Sequence, residues 1–219
     1  MRKGLTIILG LFLASQIAAQ KDGKQQLINL FNEAEQCYLI DDYQRLNVLI
    51  GQYAETFKVH QNSLGDSIDV YRAYYAKMCG AFYYGIAEED SCDYYSEMMY
   101  RISLDIFNKR NNVTNAMVLH EELAQLYYKT KAYDKAKVQL DSVYNYYDER
   151  LHDMGVMSVK PNYYKTISQL AMCNARLGDF DLALSQIDEA INDYYKKQQD
   201  ADYFEALRKR GKILMLQAD

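Results

Sequence analysis

Gly80 and Gly85 stand at the interval of a phosphate-cradling loop, which needs a Lys and a hydroxyl residue directly after the second glycine. Ile86 and Ala87 follow instead, so nothing there would grip a phosphate. His120-Glu121-Glu122-Leu123-Ala124 begins like a zinc-holding helix, but Ala124 stands where the second imidazole is required. His60 and His152 show no neighbouring ligand pattern at metal spacing. Gly65-Asp66-Ser67-Ile68 could present a nucleophilic serine only after a strand. Here Ser67 reads as a helix N-cap, with Asp66 adding favourable charge. Glu88-Glu89-Asp90 falls in a turn and reads as solvated. These residues make no catalytic constellation. The chain is expected to be no enzyme, with no cofactor and no metal.

The elements that carry these residues are helices. The chain has 219 residues, with 10 Gly and a single Pro, too few breakers for a β-sandwich with many tight turns. Hydrophobic residues at 49% and charged ones at 25% are balanced as in a globular protein with a sizeable core. Residues 1–20 have the layout of a secretory signal peptide: basic Arg2 and Lys3, a short apolar run from Leu5 to Ala14, and the small-residue exit Ile17-Ala18-Ala19. That run is too short to span a bilayer. Localisation is therefore expected to be periplasmic or secreted, with the mature chain starting near residue 21 and carrying no stable membrane span. Without Arg2 and Lys3 the chain has 23 basic and 30 acidic residues, a net charge of −7 that argues against nucleic acid as partner. Four cysteines (Cys37, Cys79, Cys92 and Cys173) then face a disulfide-permissive compartment, although none form a C-x-x-C pair.

One pattern recurs along the mature chain. An apolar-periodic helix carries a small residue, a polar turn follows, and a second helix opens with an aromatic and then another small residue. The clearest copy runs Leu119-His120-Glu121-Glu122-Leu123-Ala124-Gln125-Leu126-Tyr127, then Lys131-Ala132-Tyr133-Asp134-Lys135-Ala136. The next has Ala171 within Ile167 to Asn174, then Gly178-Asp179-Phe180-Asp181-Leu182-Ala183. In both, the second small residue lies 12 positions after the first, as expected where two antiparallel helices approach closely. Gly80 with Cys92 and Ala34 with Leu46 repeat that interval, and Gly211 opens a last copy. These residue types resemble the tetratricopeptide repeat. The likeness is strongest over 113–197; with Asp66-Ser67-Ile68 and Asp141-Ser142-Val143, which resemble the short O-glycosylation sites of Bacteroidetes periplasmic proteins, the chain is similar to exported Bacteroidetes-like proteins that carry such repeats. The spacings of 46, 44, 47 and 40 exceed the usual period of about 34 residues, so longer second helices and links are expected.

The expected fold is an all-α, right-handed solenoid of antiparallel pairs over 24–39 with 42–57, 67–87 with 91–108, 113–129 with 133–150 and 161–177 with 180–197, plus a helix at 201–217. That helix either caps the last pair or belongs to the front part of a longer protein. The resemblance implies that the first helix of each pair lines a concave face taking a protein or peptide. Carried onto this chain, the face comprises Tyr74, Lys77, Tyr84, Glu121, Gln125, Tyr128, Lys129, Lys165, Met172, Arg176, Arg208 and Lys212, with Phe31, Glu35, Tyr38, Ser168 and Glu205 beside them. Basic residues outnumber acidic ones there, which points to an acidic segment or a C-terminal carboxylate, with tyrosines supplying flat contact area. The function expected is an envelope interaction scaffold. The alternative is a periplasmic sensory input region whose membrane and output parts lie beyond residue 219. Cys79 and Cys92, on facing helices, could form a disulfide. In the Tyr-Tyr pairs, Tyr83 and Tyr127 are expected to pack while Tyr84 and Tyr128 face the groove.

Overall fold

The computed structural model describes residues 22–196 and 200–218; the signal-peptide expectation lies outside them. Nine helices are present among the described residues, and no strand: α1 (Asp22–Leu39), α2 (Tyr43–His60), α3 (Ile68–Gly85), α4 (Glu89–Lys109), α5 (Val113–Lys129), α6 (Tyr133–Asp148), α7 (Lys160–Arg176), α8 (Phe180–Lys196) and α9 (Asp200–Ala218). Consecutive helices pack as the pairs α1/α2, α3/α4, α5/α6 and α7/α8, as expected from sequence, and α9 lies on α8 and α7. Two compact units result, one through Asn111 and one from Asn112.

The same turn closes the first helix of every pair. Its residues Asp41, Ala87, Lys131 and Gly178 all have positive φ, at 60°, 60°, 62° and 88°. The next residue donates its N–H to the carbonyl five positions back: Asp42 to Cys37 (2.9 Å), Glu88 to Tyr83 (2.9 Å), Ala132 to Tyr127 (2.8 Å) and Asp179 to Asn174 (2.9 Å). This is a Schellman closure, which satisfies carbonyls the helix end leaves open. Asp42 then caps α2 by accepting from the Arg45 N–H at 3.0 Å, and Asp179 accepts from the Leu182 N–H at 3.3 Å. Only the last turn uses glycine, the residue that adopts this conformation without steric cost. Ala87→Gly and Lys131→Gly are each expected to stabilise the protein by about 1 kcal/mol, read as a rise in the urea midpoint.

The small residues at the interval of 12 sit inside the helix contacts. Ala34, Leu46, Cys92, Ala124, Ala136, Ala171 and Ala183 are all buried. Gly80 is buried as well, but a Cβ there would meet Ser96 Oγ at 3.6 Å and the Ser96 backbone nitrogen and Tyr95 Cβ at 3.8 Å, ordinary contacts. The closest approach involves Gly85 instead, where the Tyr43 ring of α2 occupies the space a Cβ would take. Gly211 differs from the sequence expectation in the other direction: it is exposed, with open space around it. Ala206 and Ile213 are the residues of α9 that enter the core. The extra residues of the long repeats lie in the link 61–67, in the 21-residue α4, and in the link 149–159 with its π-helical turn. Pro161 stands in the first turn of α7, as expected where a missing N–H costs nothing.

Tyrosines fill the cores. Tyr53 is wholly buried and donates its hydroxyl to the Tyr71 carbonyl at 2.9 Å. Phe31 stacks on Tyr74 with ring centroids 4.1 Å apart, and Tyr83 lies parallel to Tyr95 at 5.6 Å. In five of the Tyr-Tyr pairs the first residue is more buried than its neighbour, Tyr74, Tyr83, Tyr127, Tyr163 and Tyr194, while at 94–95 and 146–147 the second is. Burial pushes the Tyr75, Tyr147 and Tyr194 hydroxyls up to about 12, and Tyr53, Tyr74 and Tyr163 are also raised. The Cys79 thiol is raised to about 11 by the same cause. Groups raised in the folded state contribute stability that is present below their unfolded values and is lost as pH climbs through the folded ones. Stability is therefore expected to fall steeply above about pH 9–10. Absorbance at 295 nm should show one group of tyrosines ionising freely and another ionising only as the far-UV signal collapses.

Candidate functional site

The candidate site is the surface of the first helices, and it falls on two units that are described separately. In the first unit, Glu35 of α1 and Lys77 of α3 form an ion pair at 3.0 Å, with the Lys77 ammonium 5.1 Å from the centre of the Phe31 ring. Only 11% of the Lys77 side chain is exposed. Burial pushes its ammonium down, and Glu35 pulls it back up. Tyr38 meets Tyr84 edge-on at 6.5 Å, and Tyr84 is exposed. Tyr74 is buried under Phe31, so it supports this surface and offers no area to a ligand. That corrects its sequence assignment: position 74 faces the neighbouring first helix. Lys77, likewise, is held in an internal pair.

In the second unit, Lys165 of α7 reaches Glu121 of α5 at 3.0 Å, and the Tyr147 hydroxyl donates to the other Glu121 oxygen at 3.5 Å. Arg208 and Glu205 form a bidentate pair within α9, at 2.6 and 2.8 Å. The Arg176 guanidinium lies 5.8 Å from the centre of the Tyr133 ring and bonds to the Tyr128 oxygen, while Tyr128 and Tyr133 meet edge-on at 5.2 Å. Gln125, Lys129 and Lys212 are exposed. Met172 and Ser168 are buried in the packing between helices, a second correction to the predicted face.

One residue of this surface escaped the sequence reading. Lys209 is half-buried, and burial pushes its ammonium down while Glu205 opposes that and Arg208 and Lys165 reinforce it. Its signal in the sequence was weak, because Arg208, Lys209 and Arg210 are consecutive and only helix phase separates their directions. Arg210 points the other way, to Asp188 of α8 at 2.7 Å.

The residues first inspected for chemistry have structural roles. Gly80 and Gly85 both lie within α3 and form no loop. His120 Nδ1 sits 2.8 Å from Gln139 Oε1, tying α5 to α6. Ser67 precedes α3 in a 3-10 turn and makes no capping bond through its side chain, contrary to expectation, because its backbone is already helical (φ −88°, ψ −4°) and lacks the extended conformation of a capping residue. His152 does have a carboxylate beside it, Asp148 at 2.8 Å one helical turn away, a pairing the sequence reading overlooked. Among the described residues no group of three or more His, Cys, Asp or Glu is placed to hold a metal ion. All four cysteines are buried and unbridged. No helix among the described residues is long and apolar enough to cross a membrane.

Known structures share this arrangement. A crystal structure of a Podosopora anserina putative kinesin light chain with nearly identical TPR-like repeats is similar over 91% of this chain and 90% of its own, with a TM-score of 0.56 and 13% identity. The fold is that of TPR-like repeat proteins. A variant of the same protein carrying one substitution matches with a TM-score of 0.51 and 14% identity, over 91% of this chain and 98% of its own. No family model matches the sequence, and no curated protein does.

Proposed function

We propose that the chain is a non-catalytic, exported interaction scaffold of the bacterial envelope whose first-helix surface in the second unit binds an acidic peptide or protein segment. The signal-peptide-like residues 1–20 support export. The observation that carries the binding reading is the aromatic-backed cation at Arg176. Tyr128 and Tyr133 hold the guanidinium in place, and Lys209 and Lys212 add positive charge to the same surface. Glu121 and Glu205 are already matched by Lys165 and Arg208, so the surface keeps an excess of positive charge. A guanidinium pre-oriented on rings loses little entropy on pairing with a carboxylate. Selection from an unbiased peptide display library against the purified protein is the test. Enriched peptides should be acidic and should bind less well as salt rises. Enrichment of neutral or basic peptides would refute the proposal.

The disulfide between Cys79 and Cys92 also remains a proposal. Free-thiol titration of the denatured, unreduced protein from an oxidising compartment decides it: two thiols fewer with the bridge than without.

A further inference from the structure

The link between α6 and α7 carries ligands that patterns of His, Cys and carboxylates leave out. His152-Asp153-Met154-Gly155-Val156-Met157 sets an imidazole and two thioethers within six residues. Methionine is usually a core residue, as Met78 and Met172 are in this protein. Met154 is instead 59% exposed and Met157 64%, and His152 is exposed beside them.

The backbone under these side chains is held in place. Leu151 is buried in the core of the second unit, between His152 and the π-helical turn's start. The Met154 N–H donates to the Glu149 carbonyl at 3.1 Å, and the Val156 N–H donates to the Arg150 carbonyl at 2.7 Å. Gly155, at φ +67°, supplies the left-handed residue on which the chain turns between the two methionines. Met157 then opens the 3-10 turn Met157–Val159. A fixed backbone thus presents two thioethers on side chains flexible enough to close on an ion.

The imidazole is oriented as a metal ligand would be. His152 Nδ1 lies 2.8 Å from Asp148 Oδ1. An ionised carboxylate only accepts, so Nδ1 carries the hydrogen, and in the neutral ring the lone pair is on Nε2. Tyr163 of α7 meets the ring edge-on at 5.3 Å, which holds its plane. A carboxylate behind Nδ1 is the usual support of an imidazole that binds a metal through Nε2. Glu189 of α8 also interacts electrostatically with His152, adding negative charge that favours a cation.

The donor types select the ion. Among the described residues no trio of His, Cys, Asp or Glu is placed to hold a metal, so the site does not suit a hard divalent ion. Two thioethers and one imidazole make a soft, uncharged set that favours Cu(I). We propose that His152 Nε2 and the sulfurs of Met154 and Met157 form a binding site for one Cu(I) ion, with Asp148 orienting the imidazole.

The probe is Cu(I) itself, kept reduced under anaerobic conditions and titrated into the full chain labelled with carbon-13 at the methionine methyls. Cu(I) is diamagnetic, so the methyl signals remain visible. Those of Met154 and Met157 should shift together and saturate at one equivalent, while that of Met215, exposed alone on α9, should stay in place. Affinity is read by competition with a chromophoric Cu(I) chelator. It should fall at least about tenfold in Met154→Leu, Met157→Leu, and by a similar factor in His152→Ala. These side chains are exposed, so the variants should fold, which circular dichroism verifies. Met215→Leu and Arg176→Glu should bind Cu(I) as the wild type does. Unmoved Met154 and Met157 signals overturn the proposal. So does undiminished affinity in the double methionine variant, as when the buried thiols take the ion.

Discussion

Gly85→Ala is expected to destabilise the first unit by about 1–3 kcal/mol, the cost of forcing extra volume into a filled contact. The Tyr43 ring occupies the space where the new Cβ would go. That ring cannot swing aside freely, because its hydroxyl donates to Asp41 Oδ1 at 2.7 Å, a bond that also raises the Tyr43 hydroxyl to about 12. Gly80→Ala provides the contrast. Its Cβ would meet only ordinary contacts, and the gain in helix propensity of about 1 kcal/mol should make that variant neutral or better. Urea unfolding of the two variants decides the matter. Equal midpoints would show that Tyr43 gives way, and that the α2–α3 contact is looser than the geometry indicates.

Ala171→Leu should have at least as large an effect in the second unit. Ala171 and Ala183 are both wholly buried, in the contact between α7 and α8. Three extra carbons there must push the helices apart or force strained side-chain conformations, at about 1–3 kcal/mol and more if α8 lifts. The same enlargement at the equivalent position of α9, Gly211→Leu, should cost nothing in stability, since open space surrounds it. A difference between two equivalent repeat positions isolates packing from residue type. If both leucine variants unfold at the wild-type urea concentration, the small-residue contact is not what sets the spacing of α7 and α8.

The sequence carried the helices well, because apolar periodicity, the small residues and the polar turns all report local or next-helix geometry. Ala124 with Ala136 and Ala171 with Ala183 were legible for that reason. Gly85 with Tyr43 was not, since those residues belong to different pairs and nothing in either segment names the other. The Schellman turns were hidden by residue type, with only Gly178 looking like a left-handed position while Asp41, Ala87 and Lys131 adopt it unannounced. On the candidate surface, helix phase placed Tyr84, Gln125, Lys129, Arg176 and Lys212 outward but could not tell that Tyr74 lies under Phe31 of the neighbouring first helix or that Met172 is buried in the core of the second unit. Nor could it show that Lys77 and Lys165 pair with Glu35 and Glu121, more than forty residues earlier. Charge counted along the sequence overstated what the first unit offers a ligand and, by missing Lys209, understated the second.

In the proposed function an acidic segment is held by the cations of the second unit, with Arg176 seated on tyrosines as the anchor. This arrangement is tested most directly by the affinity of a display-selected peptide for the wild type and for the double variant Arg176→Glu, Lys212→Glu, measured by calorimetry at one fixed salt concentration. Both side chains are exposed, so neither reversal should disturb folding. A loss of at least about tenfold is expected, with the larger share coming from Arg176. An unchanged affinity would contradict it.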